Sequence, residues 1–194
     1  MADQKISAMP SALTLTGAEL VPLVQSGANV KATLSSIRAF ENAYGGFSDS
    51  TDQTGSISAG TIITMNTVDV ADGVTLVSGS RITVPNTGKY SLQFSIQFKN
   101  TNNAQDDATV WLRINGLDLA NSATQYTIPA RKSAGVFGYN VASLMFLLDL
   151  AANDYIEIVW LPSATTVTIE HLPASVSPPY PAIPSVITTI SQVA

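Results

Sequence analysis

Tyr90-Ser91-Leu92-Gln93-Phe94-Ser95-Ile96-Gln97-Phe98 places five large apolar side chains at every second position, with only Ser and Gln between them. Successive side chains of an extended chain point to opposite faces, so a period of two makes one apolar face and one polar face. This is the signature of a strand laid on a core. Pro85-Asn86-Thr87-Gly88 comes just before it. The proline presets one backbone angle and the glycine accepts a positive φ, so the chain can reverse where the strand begins.

The same signals recur downstream. Residues 110–114 run into Asn115-Gly116 and out through 117–120, the pattern of a tight hairpin whose turn residues tolerate positive φ. Further strands are expected at 126–128, 138–150, 155–160, 167–171 and 185–193, separated by Ala152-Asn153-Asp154, Pro162-Ser163 and a proline-rich stretch. The spacing predicts about eight to ten antiparallel strands and no helix in this region, an all-β sandwich or jelly roll.

Upstream the composition changes. Residues 43–60 include Tyr44-Gly45-Gly46-Phe47-Ser48-Asp49-Ser50-Thr51-Asp52-Gln53-Thr54-Gly55-Ser56, too poor in apolar side chains to offset the entropy of ordering them, and they read as a linker. Residues 61–194 then form the β domain. Residues 1–42 read as a small hairpin, Leu20-Val21-Pro22-Leu23-Val24-Gln25, a turn at 26–29 and a strand at 30–33, followed by a short helix at 35–42. Pro22 lacks a ladder donor, so its strand belongs at an edge or against another chain. So short a segment would scarcely fold alone, and docking on a partner would supply what it lacks.

Composition narrows the function. Of 194 residues none is Cys and one is His, which excludes disulfides, Cys-bound zinc and thiol nucleophiles. Charged residues make up only 12% of the chain, about half the usual share, and mean hydropathy is +0.23. Leu144-Met145-Phe146-Leu147-Leu148 is the longest strongly apolar run and ends at Asp149, far short of the about 20 residues a spanning helix needs, so no membrane insertion is expected. Both parities of this run are apolar, so both faces should be buried, one on the opposite sheet and the other on another subunit or, as the rival reading, under a long loop of the same chain. The start, Met-Ala-Asp-Gln-Lys-Ile-Ser, carries no secretory pattern, and the protein is expected to remain where it is made. A net charge of −5 with scattered Lys and Arg argues against nucleic acid.

Two stretches carry a resemblance. Lys5-Ile6-Ser7-Ala8, 15–25 and Val30-Lys31-Ala32-Thr33 resemble a short module at the start of many phage structural and fibre proteins, where it fastens them to the virion. Gly88-Lys89-Tyr90-Ser91-Leu92-Gln93-Phe94-Ser95, 110–116, 152–160 and 173–187 are similar to a phage jelly-roll family related in shape to the tumour-necrosis-factor and complement trimers. The resemblance implies a jelly-roll homotrimer on a phage particle, made in the host cytoplasm. Leu20, Val21, Pro22, Leu23 and Val24 would then anchor it to the capsid, and Leu144, Phe146, Leu148 and His171 would line the trimer interface. With only some eighteen linker-like residues, no heptads and no repeat, a long fibre shaft is missing. This favours a decoration or cement protein bound to the major capsid protein on the outer head surface. The alternative is a tail-fibre or receptor-binding tip that attaches to a host surface glycan.

Chemistry is sparse. His171 ends a strand with Glu170 on the opposite face and no nucleophile nominated nearby; on a threefold axis it would make assembly pH-sensitive. Asp106-Asp107 follows Asn102-Asn103-Ala104-Gln105, an oxygen-rich loop without the ligand alternation of a calcium hand, and reads as a solvated turn. No phosphate loop, serine elbow or histidine pair occurs. Any two of the 14 acidic residues could converge for sugar hydrolysis, but a depolymerase on such a scaffold is usually much longer. No enzyme, no metal and no cofactor is expected. The five prolines between Pro173 and Pro184 read as an extended connection that delivers the last strand, with a ligand for proline-recognition domains as the rival reading.

Overall fold

Leu20–Gln25 (β1) and Ala28–Thr33 (β2) pair antiparallel around Ser26-Gly27, whose φ values of 50° and 77° make the two-residue turn that matches strand twist. The pair flanking such a turn is hydrogen-bonded and alternate pairs follow suit, so Pro22, opposite Lys31, falls where no ladder donor is needed. The protein is described by a computed structural model at residues 14–34 and 43–194. The chain divides into two units, Met1–Glu41 and Asn42–Ala194. The helix expected at 35–42 lies outside the described residues.

The second unit is built from strands alone among its described residues. In chain order they are β3 (Tyr44–Asp49), β4 (Gln53–Thr54), β5 (Thr61–Ile62), β6 (Thr67–Asp72), β7 (Thr75–Val77), β8 (Arg81–Thr83), β9 (Gly88–Asn100) and β10 (Asp106–Ile114). There follow β11 (Leu117–Asp118), β12 (Thr124–Ile128), β13 (Gly138–Leu150), β14 (Tyr155–Pro162), β15 (Val167–Ile169), β16 (Ser175–Val176), β17 (Pro179–Tyr180) and β18 (Val186–Gln192).

Two antiparallel seven-stranded sheets result. In the first, β13 runs along the whole of β9, whose other edge takes β18 and then β15; β3 and β6 continue beyond β18, and β4 borders β15. In the second, β12 and β11 flank β10, then come β14, β5 and β8, and last β7. The alternating stretch behaves as its period requires: Tyr90, Leu92, Phe94, Ile96 and Phe98 are all buried. Phe98 meets Trp160 of the other sheet at 5.6 Å between ring centroids, which puts the core between the two layers. This is an all-β sandwich.

The segment 43–60 is not a linker. Tyr44–Asp49 pairs with β18 on one side and β6 on the other, and Phe47 is fully buried. Its glycines misled the composition argument. A Cβ at Gly45 would lie 2.6 Å from Phe47 Cζ, so the absent side chain is what lets the ring lie close to the backbone. Asp49 is buried too, accepting the Thr51 N–H at 2.7 Å, which turns the chain out of the strand. The number of strands exceeds the expectation because short ladders fill the loops.

Candidate docking face

β13 carries apolar side chains at both parities, and the structure separates them. Leu144, Phe146 and Leu148 stand opposite Phe94, Leu92 and Tyr90 on the core side; the Phe94 and Phe146 rings lie 6.3 Å apart. Leu148 is buried and Leu144 and Phe146 are half-buried against the sandwich of their own chain, on the side opposite the exposed parity. The outward parity holds Tyr139, Val141, Met145 and Leu147, with Met145 66% and Leu147 67% exposed. Full burial of each such side chain is worth about 1.5–3 kcal/mol, and in the single chain this second apolar side, expected to be buried, is uncovered.

The register extends this side into a face. Met145 stands beside Gln93, which stands beside Thr189; Ser143 stands beside Ser95 and then Ile187; Leu147 beside Ser91 and then Ser191. Gln93, Ser95, Ile187 and Thr189 line a shallow depression between β9 and β18. Among the described residues of β13, β9 and β18, charges stand on this face only towards its ends. Lys89 pairs with Asp149 at 2.6 Å at one end, and Lys99 with Glu170 at 2.5 Å at the other. Partial burial, and then the neighbouring Glu170 carboxylate, push the Tyr139 hydroxyl up from its ordinary pKa.

The outer face of the second sheet is of another kind. Register aligns Asp118, Arg113 and Glu157 across β11, β10 and β14, with Arg81 bonded to Glu157 at 3.3 Å. The Arg113 guanidinium, and next the Trp111 indole N–H, hydrogen-bond Asp118 and hold its carboxyl below the usual range. Opposite charges directly across a ladder attract, and here they satisfy one another. Trp111 is packed under the backbone of Gly60, where a Cβ would come within 2.6 Å of the ring.

His171 lies beyond β15, its N–H donating to Asp52 Oδ1 at 2.8 Å and its Nδ1 buried without a hydrogen-bond partner. It is not beside Leu144, Phe146 and Leu148 in the register of the sheet. The Asp106 and Asp107 carboxylates are engaged within the protein: Asp106 Oδ2 accepts from Asn102 and Thr166 at 3.0 Å, and Asp107 from Thr127 and Gln125 at 2.8 Å. The turn is exposed at Asn103, Ala104 and Gln105, as expected of a solvated loop, while the two carboxylates that follow it are tied to neighbouring side chains. No group of acidic or His side chains with metal-ligand spacing occurs among the described residues.

The expected anchor residues alternate along β1. Leu20, Pro22 and Val24 are exposed, while Val21 and Leu23 are half-buried. Sequence reasoning did not single out the hairpin of β16 and β17. Its base is closed by reciprocal bonds between Leu172 and Ile183 at 3.0 and 2.8 Å, and Val176 near its tip is 94% exposed. Comparison with protein-family models and with curated proteins gives no match.

Proposed function

We propose that this is a structural protein of a bacteriophage virion, a homotrimer that decorates and cements the outer surface of the head by binding the major capsid protein. The observation that carries the reading is the face of β13, β9 and β18: uncharged in its middle, apolar along one edge and left uncovered by the described residues of its own unit. Such a face suits permanent association better than catalysis. The hairpin of β1 and β2 offers a second surface with Leu20 and Val24 exposed, and a two-stranded hairpin is at best marginally stable by itself. We assign it the contact with the capsid, as the resemblance of its sequence to phage anchoring modules suggests.

The finer fold assignment, a jelly roll, belongs to the same proposal. It is supported by the order β3-β18-β9-β13 in one sheet and β8-β14-β10-β12 in the other. Strands distant in sequence are neighbours there, as when a long hairpin is rolled into two layers. The test is imaging of virions with labelled protein, together with sedimentation of a variant lacking residues 1–41. Label over the whole head, and a truncated protein that stays trimeric but no longer cosediments with undecorated heads, is the expected result. Label confined to the tail would overturn the head assignment in favour of a receptor-binding tip.

A further inference from the structure

We infer that the hairpin of β16 and β17 is an arm by which one copy holds the next, its tip seated in the depression between β9 and β18 of the neighbour. This inference rests on the trimeric reading above and adds to it which surfaces meet.

Three observations support it. The arm has little to pack on in its own chain: of residues 173–182 only Ser175 is half-buried and the rest are exposed. Eight of these ten residues are Pro, Ala, Val or Tyr. Its base is fixed by the Leu172 and Ile183 bonds, and from there it extends about 16 Å at the rise of a strand. Prolines restrict the unbound conformations, so little entropy remains to be lost on docking.

The second observation is charge. Residues 172–194 contain no Asp, Glu, Lys or Arg, in a chain of net charge −5. The middle of the face on β13, β9 and β18 is likewise uncharged. Two copies of an acidic protein repel wherever carboxylates meet. Arm and face can be brought together without opposing any, so a second copy meets no electrostatic penalty there, while a basic partner would find no carboxylate to hold it.

The third is position. The arm leaves the first sheet between β15 and β18, which border β9 one after the other along the same edge. Donor and acceptor are therefore different surfaces attached to one sheet. Unlike surfaces can meet reciprocally across a twofold axis or head-to-tail around a ring; in the trimer proposed above the contact is head-to-tail and closes after three copies.

The absence of cysteine from the chain makes the test clean. Copies carrying Val176→Cys are mixed with differently tagged copies carrying Gln93→Cys and oxidised, and the double variant is oxidised alone. Mixed-tag disulfide dimers, and covalent trimers from the double variant, are the expected products. Val176→Asp should raise the concentration at which trimers dissociate by about tenfold or more. Because Val176 is exposed, this change should leave the fold intact, with an unchanged circular dichroism spectrum.

A wild-type protein that is trimeric, but neither cross-links nor responds to Val176→Asp, would overturn the arm and leave the trimer standing. A monomeric wild type would overturn both. Cross-linking only within one chain, or protection of the thiol of the Val176→Cys variant only when capsids are added, would assign the arm another occupant and overturn the inference.

Discussion

Buried polar atoms show where this chain is well matched and where it is not. Asn100 is fully buried, yet its Nδ2 donates to the Ala104 and Ile128 carbonyls at 3.0 and 3.4 Å and its Oδ1 accepts the Asn102 N–H at 2.8 Å. It replaces ladder bonds where β9 ends and the chain turns. Thr188, also fully buried, has a hydroxyl with no hydrogen-bond partner. An unpaired buried hydroxyl is destabilising, and valine has nearly its shape. Thr188→Val should therefore raise unfolding free energy by about 1 kcal/mol, read as a higher denaturant midpoint at unchanged slope; a lowered midpoint would mean the hydroxyl is satisfied. Glu19 is the opposite case. Its carboxylate accepts the Thr16 and Gly17 N–H groups at 2.9 and 2.8 Å, and these bonds, with that of the Thr16 hydroxyl, hold its pKa at about 2 against 4.5. A depressed acid stabilises the folded form fully above its unfolded pKa and loses that contribution as pH falls through the folded one. The Thr16 and Gly17 amide resonances should thus hold steady down to about pH 4 and shift with a midpoint near 2, whereas Glu19→Gln should abolish the transition.

At the scale of elements, legibility followed from how much of the signal lay within one strand. β9 could be read because all its information is local: the buried parity is apolar, the exposed one Ser and Gln. β13 gave the limits Gly138–Leu150 correctly but not which parity faces inward, since both are apolar and only pairing with β9 decides. β3 was illegible. Its glycines have the composition of a linker and reveal their purpose only beside the Phe47 ring. The arm was read as a connection because prolines report backbone restriction and say nothing of burial. Gly138 shows how closely β13 is seated: a Cβ there would overlap the Pro129 carbonyl of the preceding loop, with no flexible side chain to move aside. Gly138→Ala should cost about 3 kcal/mol, by the same route as overpacking a core. Thermal unfolding should show it against Ser143→Ala, an exposed position of the same strand expected to be nearly neutral.

For the whole molecule the informative quantity is the distribution of charge. The outer face of the second sheet pairs Asp118, Arg113, Glu157 and Arg81 among themselves, and the ends of the first close with Lys89–Asp149 and Lys99–Glu170, so most strand-borne cations are already used. What remains for association is an uncharged face and an uncharged arm on a chain of net charge −5. In the proposed trimer, long-range repulsion between copies opposes assembly while apolar burial drives it. Salt screens the first and leaves the second largely intact, since the Debye length falls from more than about 20 Å at about 20 mM to less than about 5 Å at about 500 mM. Raising sodium chloride over that range should therefore tighten the trimer several-fold, as measured by sedimentation equilibrium. An assembly held by ion pairs between subunits would respond with the opposite sign, because the same screening would weaken it; a trimer that loosens in salt would remove the uncharged face and the arm from its interface together.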